Sequence, residues 1–179
     1  RLQSARTMPR RWAFGQEGAV QQVYNPATGK SLGQGRFLSP EQAQEKIDAA
    51  QPWGATSSER ANVLRGIADL FEKHAEEFFA LLTQEAGKTL PDCIGELREA
   101  VDFLRYYACQ AEALSDAEAG VFTCISPWNF PLAIFTGQIA AALAAGNAVL
   151  AKPAENTIMI AYLATQLMYE AGVPTAALH

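Results

Sequence analysis

The spacing of apolar and polar positions changes twice along the chain, and the two changes divide it into three parts. Residues 1–18 have no clear period and read as an irregular arm. Residues 20–24 and 31–37 flank Asn25-Pro26-Ala27-Thr28-Gly29-Lys30, a turn rich in Asn, Pro and Gly, and predict a hairpin. From residue 39 the period becomes helical. Ser39 is placed as an N-cap, Pro40 as the first helical residue and Gln42 as the partner of a capping box, with Ala43, Ile47 and Ala50 on one face until Pro52. Ser58 opens a second helix along Val63, Leu64, Ile67, Ala68 and Phe71. After a break near His74 it continues through Phe78, Phe79 and Leu82 to a C′ residue at Gly87. A third helix over 91–114 carries Ile94, Leu97, Val101, Leu104 and Ala108 on one face. Near residue 120 the pattern changes again, to strand 121–125, helix 132–145, strand 148–151 and helix 157–171. The expected domains are an arm and hairpin (1–38), a helical part (39–119) and a β-α-β-α half-unit (120–179). Two parallel strands do not stand alone, so further strands are expected after His179 or from another chain. The Val149 strand or its neighbour is expected to keep an open edge.

In open α/β sheets ligands bind beyond the carboxyl ends of strands. Two polar, proline-bearing turns fall there: Ser126-Pro127-Trp128-Asn129-Phe130-Pro131 and Lys152-Pro153-Ala154-Glu155. Asn129 lies between two prolines that restrict the backbone. Its amide suits either an oxyanion or the cap of the following helix. Lys152 and Glu155 could grip a diol or a phosphate-bearing ligand, or form a solvated pair at a helix start. Glu96 and Glu99, three apart on the long helix, read either as paired acid–base carboxylates or as helix surface. His74 and His179 have no partner pattern and read as structural or surface residues. Gly33-x-Gly35 lies in the hairpin and lacks the strand–turn–helix context of a phosphate loop.

Composition narrows the classes. Of 179 residues, 49% are hydrophobic and 18% charged, which fits a globular protein with a substantial core. A net charge of −5 without a basic cluster beyond Arg10-Arg11 argues against a general nucleic-acid partner. No apolar run reaches the roughly 18 residues of a membrane span, and no signal peptide is visible. Cys93, Cys109 and Cys124 match no zinc spacing, no metal site is predicted, and an odd count fits a reducing, cytoplasmic setting. A start at Arg1 and a stop just beyond a helix lead to the expectation of a segment of a longer protein.

Several motifs occur in a fixed order: Asn25-Pro26-Ala27-Thr28-Gly29, Glu85-Ala86-Gly87-Lys88-Thr89-Leu90, residues 125–131, Ala144-Ala145-Gly146-Asn147, and residues 152–157. Together they closely resemble the aldehyde dehydrogenase superfamily. Residues 98–108 and 130–138 further resemble the 1-pyrroline-5-carboxylate dehydrogenase module of proline utilization A. The resemblance implies an α/β fold that is the N-terminal part of an aldehyde dehydrogenase: hairpin, leading helices and an incomplete Rossmann-like parallel sheet. It implies NAD as cofactor, with FAD only if a proline dehydrogenase module precedes this segment. It implies oxidation of glutamate γ-semialdehyde to glutamate in proline catabolism; another semialdehyde dehydrogenase, such as one for succinate semialdehyde, and a non-catalytic binding or assembly module are the alternatives. The implied partners are a small aldehyde, the remainder of the dehydrogenase and further copies in a homo-oligomer.

The resemblance also assigns roles by position. Asn129 matches the amide that helps hold the oxyanion, and Lys152 and Glu155 match contacts to the adenosine ribose. Ile125, Ser126, Pro127 and Trp128 match the turn beside the nicotinamide half. Phe130 matches an aromatic lining the aldehyde tunnel, Gly137 stands where many relatives carry a bulky aromatic and is expected to leave room for a polar-tailed substrate, and Glu99 is placed near the tunnel mouth. The family's nucleophilic cysteine, its deacylating glutamate and its pyrophosphate-binding helix start have no match here, so the segment alone is expected to be inactive.

Overall fold

The computed structural model describes residues 18–114 and 119–179; all of the predicted arm except Gly18 lies outside them. Strands β1 (Ala19–Tyr24) and β2 (Ser31–Phe37) pair antiparallel, with Ala19 opposite Phe37. Asn25 closes their turn by accepting the N–H groups of Ala27 and Thr28 on its side-chain oxygen, at 2.9 and 3.2 Å. Gly35 explains how the hairpin docks. A Cβ there would lie 1.9 Å from Ile158 Cδ1, so glycine lets β2 rest on the start of the last helix without moving the Ile158 side chain. The Gly33-x-Gly35 pattern thus serves packing.

Helix α1 (Pro40–Ala49) has the capping box between Ser39 and Gln42 that the sequence predicts. Its predicted apolar face buries nothing, and Ile47 is 44% exposed, so this helix is held at its ends rather than along a face. Helix α2 (Ser57–Lys73) begins one residue before Ser58, because Thr56 forms a reciprocal capping box with Glu59. Leu64, Ile67, Ala68 and Phe71 are buried, and His74 breaks the helix where expected. Helix α3 (Ala75–Gln84) then packs Phe78 against Phe71, ring centroids 4.9 Å apart. Helix α4 (Leu90–Ala113) starts from a Thr89 cap and packs along α2 through Cys93, Leu97, Ala100, Val101, Leu104 and Ala108. Ile94, predicted on that face, is exposed.

Strands β3 (Val121–Ile125) and β4 (Ala148–Lys152) pair parallel and in register, Val121 opposite Ala148 and Ile125 opposite Lys152. Helix α5 (Ala133–Ala144) connects them and α6 (Ile158–Glu170) follows β4. Helix α5 is apolar on all sides because it is enclosed by α4, α2 and the sheet. Asn147 ties the strand starts together. Its side chain accepts the Gly120 N–H at 2.8 Å and donates to the Ala142 carbonyl at 3.1 Å.

Of the two strands expected to keep an open edge, it is the neighbour β3, with Val121 and Phe122 exposed, and not the Val149 strand. Val149 bridges Leu178 in parallel, the His179 N–H donates to the Val149 carbonyl at 2.9 Å, and the Ala151 N–H donates to the His179 carbonyl at 2.7 Å. β4 is therefore interior, flanked by β3 and by the start of a third strand. His179 serves in that strand through its backbone, and His74 pairs with Glu77 at 2.7 Å beside the α2–α3 break.

Neither α5 nor α6 caps itself. Leu132 and Thr157 occupy the N-cap positions without a side-chain bond, yet each helix start is buried and its first amides need acceptors. Two glutamates from elsewhere supply them. Glu96 of α4 accepts the N–H groups of Leu132 and Ala133 at 2.9 and 3.1 Å. Glu85, just past α3, accepts those of Met159 and Ile160 at 2.8 and 2.9 Å.

Burial pushes the Glu85 carboxyl from the usual 4.5 up to about 7, against the pull of the Met159, Ile160 and Ile158 N–H groups. A carboxyl whose folded-state value is raised supports folding fully below its unfolded value and loses that support as pH rises through the folded value. The melting temperature of the wild type, relative to that of Glu85→Gln, should therefore fall between pH 4.5 and about 7. A thermal-denaturation series in which the difference stays flat or rises across that window would contradict the assignment.

Candidate functional site

The two proline-bearing turns lie side by side. In-register pairing sets Ile125 opposite Lys152, and the Ser126 N–H donates to the Lys152 carbonyl at 3.2 Å. Each turn is followed by one of the remotely capped helices, so both helix starts point the same way out of the sheet. The nicotinamide-half candidates are thus adjacent to the ribose candidates, as open α/β topology requires.

In the first turn, Ile125 and Trp128 are well exposed, Pro127 is exposed and Ser126 is buried. The Ser126 hydroxyl has no hydrogen-bond partner among the described residues. Asn129 is exposed and its side chain likewise makes no hydrogen bond there. The rival reading, Asn129 as the cap of α5, fails on geometry. The α5 amides at Leu132 and Ala133 are already taken by Glu96, which leaves the Asn129 amide group free to donate elsewhere. Phe130 is half-exposed, and Lys88 Nζ stands 4.5 Å from its ring centroid.

Lys88 also pairs with Glu96 Oε2. The Glu96 side chain is wholly buried and that of Lys88 14% exposed. One oxygen of Glu96 therefore holds the helix start while the other holds the cation that covers Phe130. Loss of one partner of such a buried pair costs about 3–5 kcal/mol, because the remaining charge stays unpaired. Reading Glu96 with Glu99 as a carboxylate pair is corrected: Glu96 faces inward and Glu99 is exposed.

In the second turn, Lys152 Nζ is 2.7 Å from Glu155 Oε1, and both side chains are more than half exposed. The hydrogen bond from Lys152 holds the Glu155 carboxyl below its usual range, so Glu155 is an acceptor at neutral pH. Trp128 and Glu155 line one cleft of about 390 Å³ with Tyr24, Glu85, Asn156 and Thr157. The Thr157 hydroxyl is buried and unpartnered among the described residues. The cleft lies between the hairpin and the two turns, with the Thr157 hydroxyl as its unused hydrogen-bonding group among the described residues. A ligand with hydroxyl groups and a flat ring fits that set of donors and acceptors.

The substrate candidates separate. Glu99 lines a groove of about 640 Å³ on the outer face of α4, with Gly95, Arg98, Asp102, Phe103 and Tyr106. Phe130 does not line it. Gly137 is buried in α5, and a Cβ there would lie 2.9 Å from Phe103 Cδ2. The Phe103 ring lies directly against Gly137, on the side a larger side chain would need. Gly137 bears on the groove only through the placement of Phe103.

Two of the three cysteines are ill suited to nucleophilic attack. Cys93 and Cys124 are buried, and burial raises both thiols, Cys93 to about 11. Cys109 is exposed on α4, away from both turns. No group of His, Cys, Asp and Glu among the described residues could hold a metal ion, and no described helix is long and apolar enough to cross a membrane.

Three residues hold the turns in a way that the sequence does not announce: Glu85, Lys88 and Glu96, the last of which is neither an acid–base partner of Glu99 nor helix surface. Glu96 carried a signal, since it falls in the buried stripe with Cys93, Leu97 and Ala100, where an acidic residue needs a partner. Glu85 and Lys88 lie in the Glu85-Ala86-Gly87-Lys88 motif, whose purpose is visible only once α5 and α6 are packed.

The chain is similar to several known proteins. The bifunctional protein PutA of Salmonella typhimurium is 51% identical over 168 residues, covering 88% of this chain and 13% of that protein. The 1-pyrroline-5-carboxylate dehydrogenase of Anoxybacillus flavithermus is 39% identical over 157 residues, 78% of this chain and 30% of that protein. A crystal structure of proline utilization A from Bdellovibrio bacteriovorus superposes with a TM-score of 0.85 at 29% identity, over 92% of this chain and 20% of its own. The chain thus spans about an eighth of the PutA relative. Residues 12–179 match the aldehyde dehydrogenase family, and the chain belongs to it.

Proposed function

We propose that this chain is the N-terminal part of an NAD-dependent dehydrogenase that oxidises glutamate γ-semialdehyde to glutamate in proline catabolism. The supporting observation is the pairing of the two turns. A free, proline-restrained amide at Asn129 stands next to an exposed Lys152–Glu155 pair, across strands in register. The similarity to PutA and to a 1-pyrroline-5-carboxylate dehydrogenase supports this aldehyde.

NAD, when bound, supplies the hydride acceptor. Glu155 is the residue to accept a ribose hydroxyl and Lys152 the one to donate to it, with Ile125, Ser126, Pro127 and Trp128 beside the nicotinamide half. The unused hydroxyls of Ser126 and Thr157 and the carboxylate of Glu155 fit such a group. Asn129 donates its amide N–H to the substrate oxygen as negative charge develops there. Phe130 forms an aromatic wall of the aldehyde path, and Glu99 lies at the groove on α4, where Gly137 sets the depth to which Phe103 sinks. The nucleophilic thiol and the general base come from the rest of the dehydrogenase, because the buried thiols of Cys93 and Cys124 are held protonated. The hairpin, with exposed Val20 and Tyr24, is the arm through which copies associate.

In the full dehydrogenase, Asn129→Ala should lower turnover by about 10²- to 10³-fold, the scale for one oxyanion donor, with little change in NAD affinity. Steady-state kinetics showing near-normal turnover would remove Asn129 from the mechanism. Glu155→Gln should raise the NAD dissociation constant in calorimetric titration while aldehyde binding is preserved; an unchanged constant would remove the ribose assignment. Residues 1–179 alone should form no NADH from glutamate γ-semialdehyde. Turnover by this segment that a Cys124→Ser change abolishes would overturn the view that its cysteines are bystanders.

A further inference from the structure

The site contains two carboxylates that touch neither turn's functional side chain. Glu96 and Glu85 are both almost fully buried, and both come from one stretch, residues 85–96, that runs from the end of α3 into α4. Glu96 accepts the first amides of α5, three residues after Asn129. Glu85 accepts the Met159 and Ile160 amides of α6, the first of them four residues after Glu155. Between them Lys88 pairs with Glu96 and lies over the Phe130 ring. Helix starts normally take their caps from the residue just before the first turn. Here neither the Leu132 nor the Thr157 side chain bonds to its own helix, so the first amides of each start are satisfied by a remote side chain.

We propose that Glu96, held by Lys88, is the positioning residue for Asn129, and that Glu85 is the positioning residue for the Lys152–Glu155 turn, so that residues 85–96 act as one clamp with separable effects on the two halves of the site. The clamp works through geometry. Without Glu96 the Leu132 and Ala133 amides are orphaned and the α5 start must shift or unwind to reach an acceptor, carrying the Asn129–Phe130–Pro131 segment with it. Without Glu85 the same holds for α6 and the Glu155–Asn156–Thr157 segment. The Ser126 N–H donates to the Lys152 carbonyl where the two strands end, while each helix start has its own glutamate acceptor. This inference rests on the oxyanion role of Asn129 and the ribose role of Glu155.

The test is a crossed set of variants in the full dehydrogenase, assayed with glutamate γ-semialdehyde and NAD. Glu96→Leu should lower turnover by about 10- to 100-fold, the cost of a slightly misplaced catalytic group, and leave the NAD dissociation constant within about twofold. Glu96→Gln should restore part of the turnover, because its amide oxygen can still accept both N–H groups while the Lys88 pair is lost. Glu85→Leu should raise the NAD dissociation constant by about tenfold with turnover at saturating NAD preserved. In an Asn129→Ala background, Glu96→Leu should cost nothing further, because its effect passes through Asn129. Should Glu96→Leu fail to accumulate as folded enzyme, the same cycle is run with Glu96→Asp, one methylene too short to keep both contacts, and should give the same lack of further loss.

Equal effects of both glutamate variants on turnover and NAD binding would overturn the inference and leave plain destabilisation. So would turnover losses that multiply in the Asn129→Ala background, or a silent Glu96→Leu. If Asn129→Ala itself is silent, the oxyanion reading fails and the inference with it. If Asn129→Ala is impaired while Glu96→Leu is not, only the positioning role fails.

Discussion

The structure turns on how two buried helix starts are satisfied. A helix leaves its first amides without intrahelical acceptors, and burying them unpaired is expensive. Helices α5 and α6 both begin at the carboxyl end of a parallel strand, where a ligand site is wanted and where a local cap would occupy the turn. Glu96 and Glu85 resolve this by capping from a distance. The turns are then free of capping duty. Asn129 is left with an unused amide, and Lys152 and Glu155 bond to each other in solvent rather than to the helix. Placing the acceptors on the α3–α4 segment also ties the helical part to the sheet, because the same carboxylates that satisfy the amides anchor that segment against α5 and α6.

Much of the architecture can be read from the chain. The hairpin turn, the Ser39 capping box, the break at His74 and the strand–helix–strand order follow from local chemistry: Asn, Pro and Gly at the turn, Ser and Gln three apart, and short apolar runs between polar turns. The failures have physical causes. Ile47 and Ile94 keep helical spacing, but no described element packs on them. The expected opening at Ser58 is one residue late, because Thr56, with Glu59 at the capping-box distance, caps a helix that starts at Ser57. The third strand at residues 177–179 is too short to show a period and is recognised only by its bonds to β4.

The site is legible in a different way. Family motifs point to Asn129, Lys152 and Glu155, and pairing of β3 with β4 brings their turns together, but no spacing rule announces that Glu96 serves residues 36 and 37 positions away. Gly137 shows the converse. As a sequence feature it suggests room, and in the packed molecule the ring of Phe103 lies directly against it and is part of the α4 groove. Substituting a larger side chain there moves an aromatic wall rather than filling a vacancy. Residues that touch a ligand are found from motifs; residues that hold them in place are found from burial and unpaired polar atoms.

The central claim, that α5 and α6 are capped independently from one segment, can be examined without any ligand. Hydrogen–deuterium exchange followed by mass spectrometry on the full dehydrogenase would compare wild type with Glu96→Leu. The account predicts faster exchange in peptides covering residues 132–136, with protection at residues 159–163 unchanged. Unchanged protection at residues 132–136, or equal loss in both segments, would contradict it.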